Sequence, residues 1–138
     1  MEFHTKLILV ATDFSENALH ALKASIDFLH IPQSRLVVLH VEDVKDNEQL
    51  HLVNHKLDAY IKNFFKFNEP IPVPERVILS NASVYKAIVD YIQKMDPYML
   101  VIGAKGSSNI RNLHIGSNTV HLLEKATCPV LVVPIMES

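Results

Sequence analysis

The sequence predicts an α/β fold in one domain, a parallel sheet with helices on both faces. Two patterns carry that reading. Short apolar runs without polar alternation recur along the chain, as strands buried on both faces require, and stretches with helical spacing of apolar residues lie between them. A βαβαβαβαβ order with right-handed crossovers gives a parallel sheet covered on both sides. A third feature marks where such a sheet would act: all three glycines, Gly103, Gly106 and Gly116, fall in one polar stretch between the fourth apolar run and the last helix.

Lys6–Ala11 is the first strand. Ser15 can cap a helix that runs to about Leu29, with Ala18, Leu22, Ser25, Ile26 and Leu29 inward. Ile31–Ser34 breaks the chain, and Arg35–Val41 is the second strand. A helix follows from about Glu48 to Phe67, with Leu50, Val53, Leu57, Tyr60, Ile61 and Phe64 on one face. The prolines of Asn68–Pro74 exclude helix there. Arg76–Leu79 is a third, shorter strand, and Val84–Met95 a helix with Ile88, Tyr91 and Ile92 inward. Tyr98–Ile102 is the fourth strand, Ser117–Lys125 the last helix and Cys128–Val133 the fifth strand. Ligands of such sheets sit at the carboxyl ends of the strands, where the winding reverses. Thr12 and Asp13 follow strand one, and Gly103 ends strand four. If those strands are neighbours, the order is 3-2-1-4-5; periodicity alone leaves the adjacency open.

A chain of 138 residues, 49% hydrophobic and 20% charged, fits one soluble domain spanning 1–138. A net charge of −2 without a run of Lys or Arg argues against nucleic-acid or anionic-membrane partners. The single cysteine, Cys128, allows no internal disulfide, and no apolar run reaches membrane-spanning length. Met1–Lys6 lacks the charged start and apolar core of a signal peptide, so the expected location is the cytoplasm.

At average usage of roughly 7%, a chain this long would carry about ten glycines. Keeping three, in one loop, points to sites where the backbone bends unusually or something approaches it closely. Gly103 lets the chain leave the strand uncovered, Gly106 permits a conformation barred to most residues, and Gly116 removes a side chain where a helix begins. The first-turn amides of Ser117, Asn118 and Thr119 have no intrahelical acceptors. With the helix dipole and the Ser117 and Thr119 hydroxyls they suit a phosphate. The bland alternative makes Ser117 a cap and the glycines turn residues; the loop's length weighs against it. The P-loop motif and the Gly-x-Gly-x-x-Gly of dinucleotide folds are both absent.

Gly103, two residues, Gly106, nine residues, then Gly116-Ser117 resembles Gly-x2-Gly-x9-Gly-Ser/Thr. That is the nucleotide-binding signature of the ATP-binding branch of the universal stress protein family. The resemblance extends over nearly the whole chain, through Leu7–Ser15, Leu36–Val41 and the ending Ala126–Pro134. It implies a Rossmann-like, adenine nucleotide alpha hydrolase-like sheet of five parallel strands in the order 3-2-1-4-5. It implies a homodimer through the last strand, Val130, Leu131, Val132 and Val133. It also implies bound ATP, or ADP or AMP, with Mg²⁺. Ala11, Thr12 and Asp13 would then lie near the adenosine or the metal, and Val41 would meet the adenine through its backbone. Ile102, Gly103, Gly106, Gly116, Ser117, Asn118 and Thr119 would surround ribose and phosphates. From the residues alone, Asp13 serves equally well as a helix cap shared with Ser15. Three positions depart from the family pattern: Ala11 stands where proline is common, Asn81 where glycine often precedes the third helix, and Asn118 where a small apolar residue is usual.

The function expected is a nucleotide-binding regulator that signals its occupancy to protein partners in a stress response. No general base is evident, so no catalytic residue is assigned and turnover is at most a slow ATPase. The alternative is a dimeric interaction module that binds no nucleotide in cells. His51 and His55, at i and i+4, lack a third metal ligand and read as a solvated helix face. His40 reads as a satisfied buried side chain and Cys128 as a structural thiol. Lys105, Arg111 and His114 are minor candidates for phosphate contacts.

Overall fold

β1 (Lys6–Ala11) lies at the centre of the sheet in a computed structural model of the chain, which describes residues 5–66, 70, 73–104 and 116–134. The other elements are α1 (Glu16–Ile26), β2 (Ser34–Glu42), α2 (Asn47–Phe65), β3 (Glu75–Ser80), α3 (Val84–Met95), β4 (Met99–Gly103), α4 (Ser117–Lys125) and β5 (Val130–Val133). All neighbouring strands are parallel, and their order is β3-β2-β1-β4-β5, the expected one. β1 pairs with β2 from Lys6 opposite Ser34 to Ala11 opposite Leu39, and with β4 from Ile8 opposite Met99 to Val10 opposite Val101.

Because side chains alternate along a strand, β1 feeds two cores. Ile8 and Val10 join Leu36, Val38 and Val101 under α1 and α2, where Ala21, Leu22, Leu57 and Ile61 cover them. Leu7 and Leu9 join Val37, Leu39, Leu100 and Ile102 under α3 and α4, where Ile88, Ile92 and Leu122 cover them. The unbroken apolar runs of the sequence are thus two interleaved faces, each fully used. Among the described residues no helix is long and apolar enough to cross a membrane.

Several elements differ from the expected bounds for local reasons. α1 stops at Ile26, and Asp27–His30 tightens into a 3-10 turn, a common helix ending; Ile26 and Leu29 still pack against the core. α2 ends at Phe65 because Lys66 turns left-handed, at φ 57°. β5 begins at Val130, since Pro129 has no N–H to give and uses its carbonyl to accept from Leu100 N at 2.9 Å. Asn81 turns the chain by side-chain chemistry: its Oδ1 accepts from Ser83 N at 2.8 Å, a turn that leads into α3.

The scarcity of glycine has a direct structural counterpart. Phe14, Gln33, Lys66 and Asp96 adopt positive φ, and no described glycine does. Gly103 is kept for close approach. A Cβ there would lie 2.7 Å from Oδ1 and 2.9 Å from Cγ of Asn17, which α1 presses against the end of β4. Asn17 thus fills the space a side chain would need, while Gly103 also lines the cleft described below.

Gly103→Ala is expected to cost about 1–3 kcal/mol in urea unfolding, as overpacking does, and less when Asn17→Ala is already present. An equal cost in both backgrounds would remove Asn17 as the cause. Burial, aided by the nearby Asp96 carboxylate, pushes the half-buried Cys128 thiol up. It should therefore react with an aromatic disulfide reagent more slowly than free cysteine at about pH 8, because less of it is thiolate. Equal rates would show a thiol accessible and unperturbed.

Candidate functional site

The connection leaving β1 passes to α1 on one face of the sheet, and the connection leaving β4 leads to α4 on the other. The two neighbouring strand ends therefore part, and a cleft of about 370 Å³ opens between them. Ala11, Thr12 and Asp13 line it from β1, Val41 from β2, Ile102 and Gly103 from β4, and Gly116, Ser117, Asn118 and Thr119 from the start of α4. The structure thus gathers the residues singled out in the sequence around one cavity. Gly106 and the minor candidates Lys105, Arg111 and His114 lie outside the described residues.

The sequence did not single out the apolar side of the cleft. Ala18, Leu39, Val84, Ile88 and Leu122 complete the lining. Ile88 was legible as an inward residue of its helix, but its place beside the end of β2 depends on how α3 crosses the sheet. Val84, at 36% exposure, is one of the larger apolar side chains open to solvent, and it is open into this cleft.

Helix beginnings distinguish the cleft from the rest of the surface. Ser15 caps α1 by accepting from Ala18 N, and Asp46 caps α2 by accepting from Gln49 N; Glu16 and Glu48 add negative charge to their first turns. α3 and α4 have neither a side-chain cap bond nor an acidic residue in the first turn. Both begin at the cleft. Gly116 takes φ −63° and ψ 153°, extended backbone open to any residue, so its lack of a side chain rather than its flexibility sets it apart. Its N–H donates to Ala104 O at 2.8 Å and closes the base of the loop. The intrahelical bonds start with Val120 N to Gly116 O, which leaves the amides of Ser117, Asn118 and Thr119 without acceptors among the described residues.

Hydroxyl chemistry differs from expectation at one position. Thr119 is 6% exposed, and its Oγ1 donates to Gly103 O at 3.1 Å. That proton ties α4 to the end of β4 and is not available to a ligand; Ser117 remains exposed. Asp13 lies just before the Ser15 cap of α1 and also lines the cleft. Its Oδ1 accepts from Ser15 N at 3.0 Å, while its side chain stands at the rim of the cleft.

Behind the β1 lip lies a packed polar network. Thr12 is buried: its N–H donates to Leu39 O, its Oγ1 accepts from Phe14 N at 3.0 Å and donates to Tyr60 Oη at 3.0 Å, and its carbonyl faces His40 Nδ1 at 2.8 Å. His40 Nε2 reaches Glu42 Oε1 at 3.0 Å, so His40 is the satisfied buried side chain expected. Burial pushes the Tyr60 hydroxyl above its ordinary range, which keeps it a neutral partner for Thr12. His51 and His55 are exposed on α2, and no group of three metal-ligating side chains occurs among the described residues.

Comparison with known proteins agrees with this anatomy. The model of the Universal stress protein family matches residues 4–134. Universal stress protein MJ0577 of Methanocaldococcus jannaschii is 24% identical over 152 aligned positions, covering 93% of this chain and 94% of that protein. A solved structure of MJ0577 superposes with a TM-score of 0.80 at 26% identity, over 99% of this chain and all of that one. A universal stress protein of Archaeoglobus fulgidus, solved in complex with dAMP, has the same fold at a TM-score of 0.68 and 20% identity, covering 95% and 98% of the two chains. A further structure, of a universal stress protein in complex with cAMP, superposes at 0.69 with 17% identity, covering 93% and 96%. The match over nearly the whole chain, with the sheet order and the cleft at its reversal point, makes this protein a member of the universal stress protein family.

Proposed function

We propose that the chain is a nucleotide-binding regulator: an adenine nucleotide occupies the cleft, and its presence is signalled to protein partners in a stress response. The observation that carries this is the pair of uncapped helix beginnings at the cleft, α4 above all, at the one place where the sheet reverses its winding. Free first-turn amides and a positive helix end bind anions. Each bond to a charged group is worth roughly 1.5–3 kcal/mol, and a few together reach the ~8 kcal/mol of micromolar affinity. The apolar side formed by Leu39, Val84 and Ile88 offers a surface for a base. The relatives crystallised with dAMP and cAMP support an adenine nucleotide as the ligand class.

In this reading Val41 meets the adenine through its backbone and Asp13 lies by the ribose or a metal. The phosphates rest on Gly116, Ser117 and Asn118, with Thr119 contributing its amide. ATP is the expected occupant, with ADP and AMP as alternatives. A divalent ion such as Mg²⁺ fits at Asp13 only in company with the nucleotide, because the described residues offer no cluster of further ligands. No residue is assigned to catalysis, and any ATP hydrolysis is slow. β5 is an edge strand, and its outer side suits pairing with a second copy along Val130–Val133.

Gly116→Val tests the site. Backbone strain does not stand in its way, and valine at a helix N-cap costs about 1 kcal/mol or less relative to glycine, so the fold should persist. The affinity for MgATP, measured by calorimetry, should fall at least about tenfold, 1.4 kcal/mol. Unchanged affinity would place any nucleotide elsewhere. Mass spectrometry of small molecules released on denaturing freshly purified protein should recover an adenine nucleotide. An empty protein that gains no thermal stability from millimolar MgATP would favour an interaction module that binds none.

A further inference from the structure

The solvent face of α2 carries His51 and His55 one turn apart, and their rings meet. Nε2 of one lies 3.1 Å from Nε2 of the other, with the ring centroids 4.6 Å apart and the planes at 81°. Residues four apart are neighbours on a helix surface, but that spacing alone does not turn two rings nitrogen to nitrogen. Two ring nitrogens at this distance share one hydrogen: one Nε2–H donates and the other Nε2 accepts. The backbone beneath the pair is fixed. Asp46 caps α2 by accepting from Gln49 N, and Val53, Leu57 and Ile61 bury its inner face. The charged neighbours are engaged with other groups. Asp58 holds Lys62 at 2.9 Å and Arg76 at 3.3 Å, and Lys56 Nζ lies 4.4 Å above the Phe14 ring. The pair meets no third metal-ligating side chain among the described residues, so it does not build the closed, four-ligand kind of structural site.

We infer that His51 and His55 form an open clamp for a late first-row divalent cation such as Zn²⁺. A metal about 2.0–2.1 Å from each of two nitrogens holds them roughly 2.9–3.4 Å apart, for angles between square and tetrahedral. The observed 3.1 Å falls inside that span, so the ion enters by turning the rings and without moving the helix. Binding changes the tautomer and leaves the rings neutral. The metal takes a lone pair from both Nε2 atoms, and the hydrogen that one of them carried passes through water to Nδ1 of the same exposed ring. Water completes the coordination. Imidazole nitrogen suits Zn²⁺, Ni²⁺ and Cu²⁺, whereas Mg²⁺ and Ca²⁺ take oxygen ligands. The clamp is thus separate from the cleft by chemistry and by place: neither histidine lines the cleft, and a Mg²⁺ accompanying a nucleotide does not compete for it. The clamp does not rest on the nucleotide reading.

Calorimetric titration of the protein with Zn²⁺ at about pH 8, where free imidazole is neutral, tests the clamp. His51→Ala and His55→Ala should each weaken binding at least about tenfold, because in the pair the second ring binds within the same molecule. Both positions are exposed and alanine favours helix, so the fold should be unaffected. The double substitution Leu52→His with His55→Leu keeps the composition and sets the two histidines at i and i+1, where they do not face each other. Leu52 is 63% exposed, so this exchange takes nothing from the core. It should weaken Zn²⁺ binding as much as either single substitution does. The chain has eight histidines and one cysteine, and full affinity in the exchange variant would make the binding adventitious and overturn the clamp. Millimolar Mg²⁺ should leave the Zn²⁺ affinity unchanged; competition would refute ligation by nitrogen. Nitrogen-15 NMR reads the ligands directly. Zn²⁺ should shift Nε2 of both His51 and His55 and leave the hydrogen of each ring on Nδ1. Signals of these two rings that stay unchanged at saturating Zn²⁺, or a protein that takes up no Zn²⁺ at all, would refute the inference.

Discussion

The pairing of β1 on both of its edges is the constraint on which the rest depends. Ile8, Leu9 and Val10 are wholly buried, with β2 on one side, β4 on the other and a helix layer above and below. Burying each such side chain is worth roughly 1.5–3 kcal/mol, and no other strand serves both halves of the sheet. Since β1 and β4 run parallel and side by side, their connections must leave from the same end. One goes to α1 and the other to α4 on opposite faces, so the two strand ends part. The cleft follows from the winding of the chain before any side chain in it is chosen.

What fills the gap is a matter of charge. A buried or capped helix start needs nothing further, and α1 and α2 are of that kind, each with a side-chain cap and an acidic residue in its first turn. α3 and α4 lack both where they border the cleft. The difference is large enough to matter: a cap contributes about 1 kcal/mol, and a favourable charge near the helix end typically 0.3–1 kcal/mol. Leaving two adjacent helix ends without either is a cost to the empty protein that an anion can offset. The hydroxyl of Thr119, by contrast, is spent on Gly103 O. It fixes where α4 begins relative to β4, which is a different service from touching the ligand.

Much of this was legible in the residues. The bounds of β1, α3 and α4 agree with those read from the sequence, because unbroken apolar runs, helical spacing and the Asp96-Pro97 stop are local signals. The strand order was open to periodicity and came from the family resemblance, which the sheet and the family match bear out. What escaped was non-local. The pressure of Asn17 on Gly103 joins residues far apart in sequence, as do the bonds of Thr12 to Tyr60 and His40. Nothing about an asparagine in the first turn of a helix announces that a glycine on another strand must make room for it. The 3-10 ending of α1 escaped for the opposite reason: its residues keep the apolar spacing of a helix while the backbone tightens.

The two sides of the cleft are built on different terms. On the β1 side, Phe14 holds a left-handed backbone at φ 67°, a conformation costing an L-residue roughly 1–2 kcal/mol. Such strain persists where the surroundings over-determine it. Here the Phe14 amide is bonded to Thr12 Oγ1, its ring packs on His40 and Tyr60, and Lys56 lies over it. On the α4 side the first-turn amides have no partner among the described residues. One wall is therefore set in advance by contacts within the protein, and the other is left with donors to spare. A ligand that seats its uncharged part against the fixed wall and its anionic part on the open donors loses little to reordering the protein, and what it gains comes from donors that no described residue satisfies.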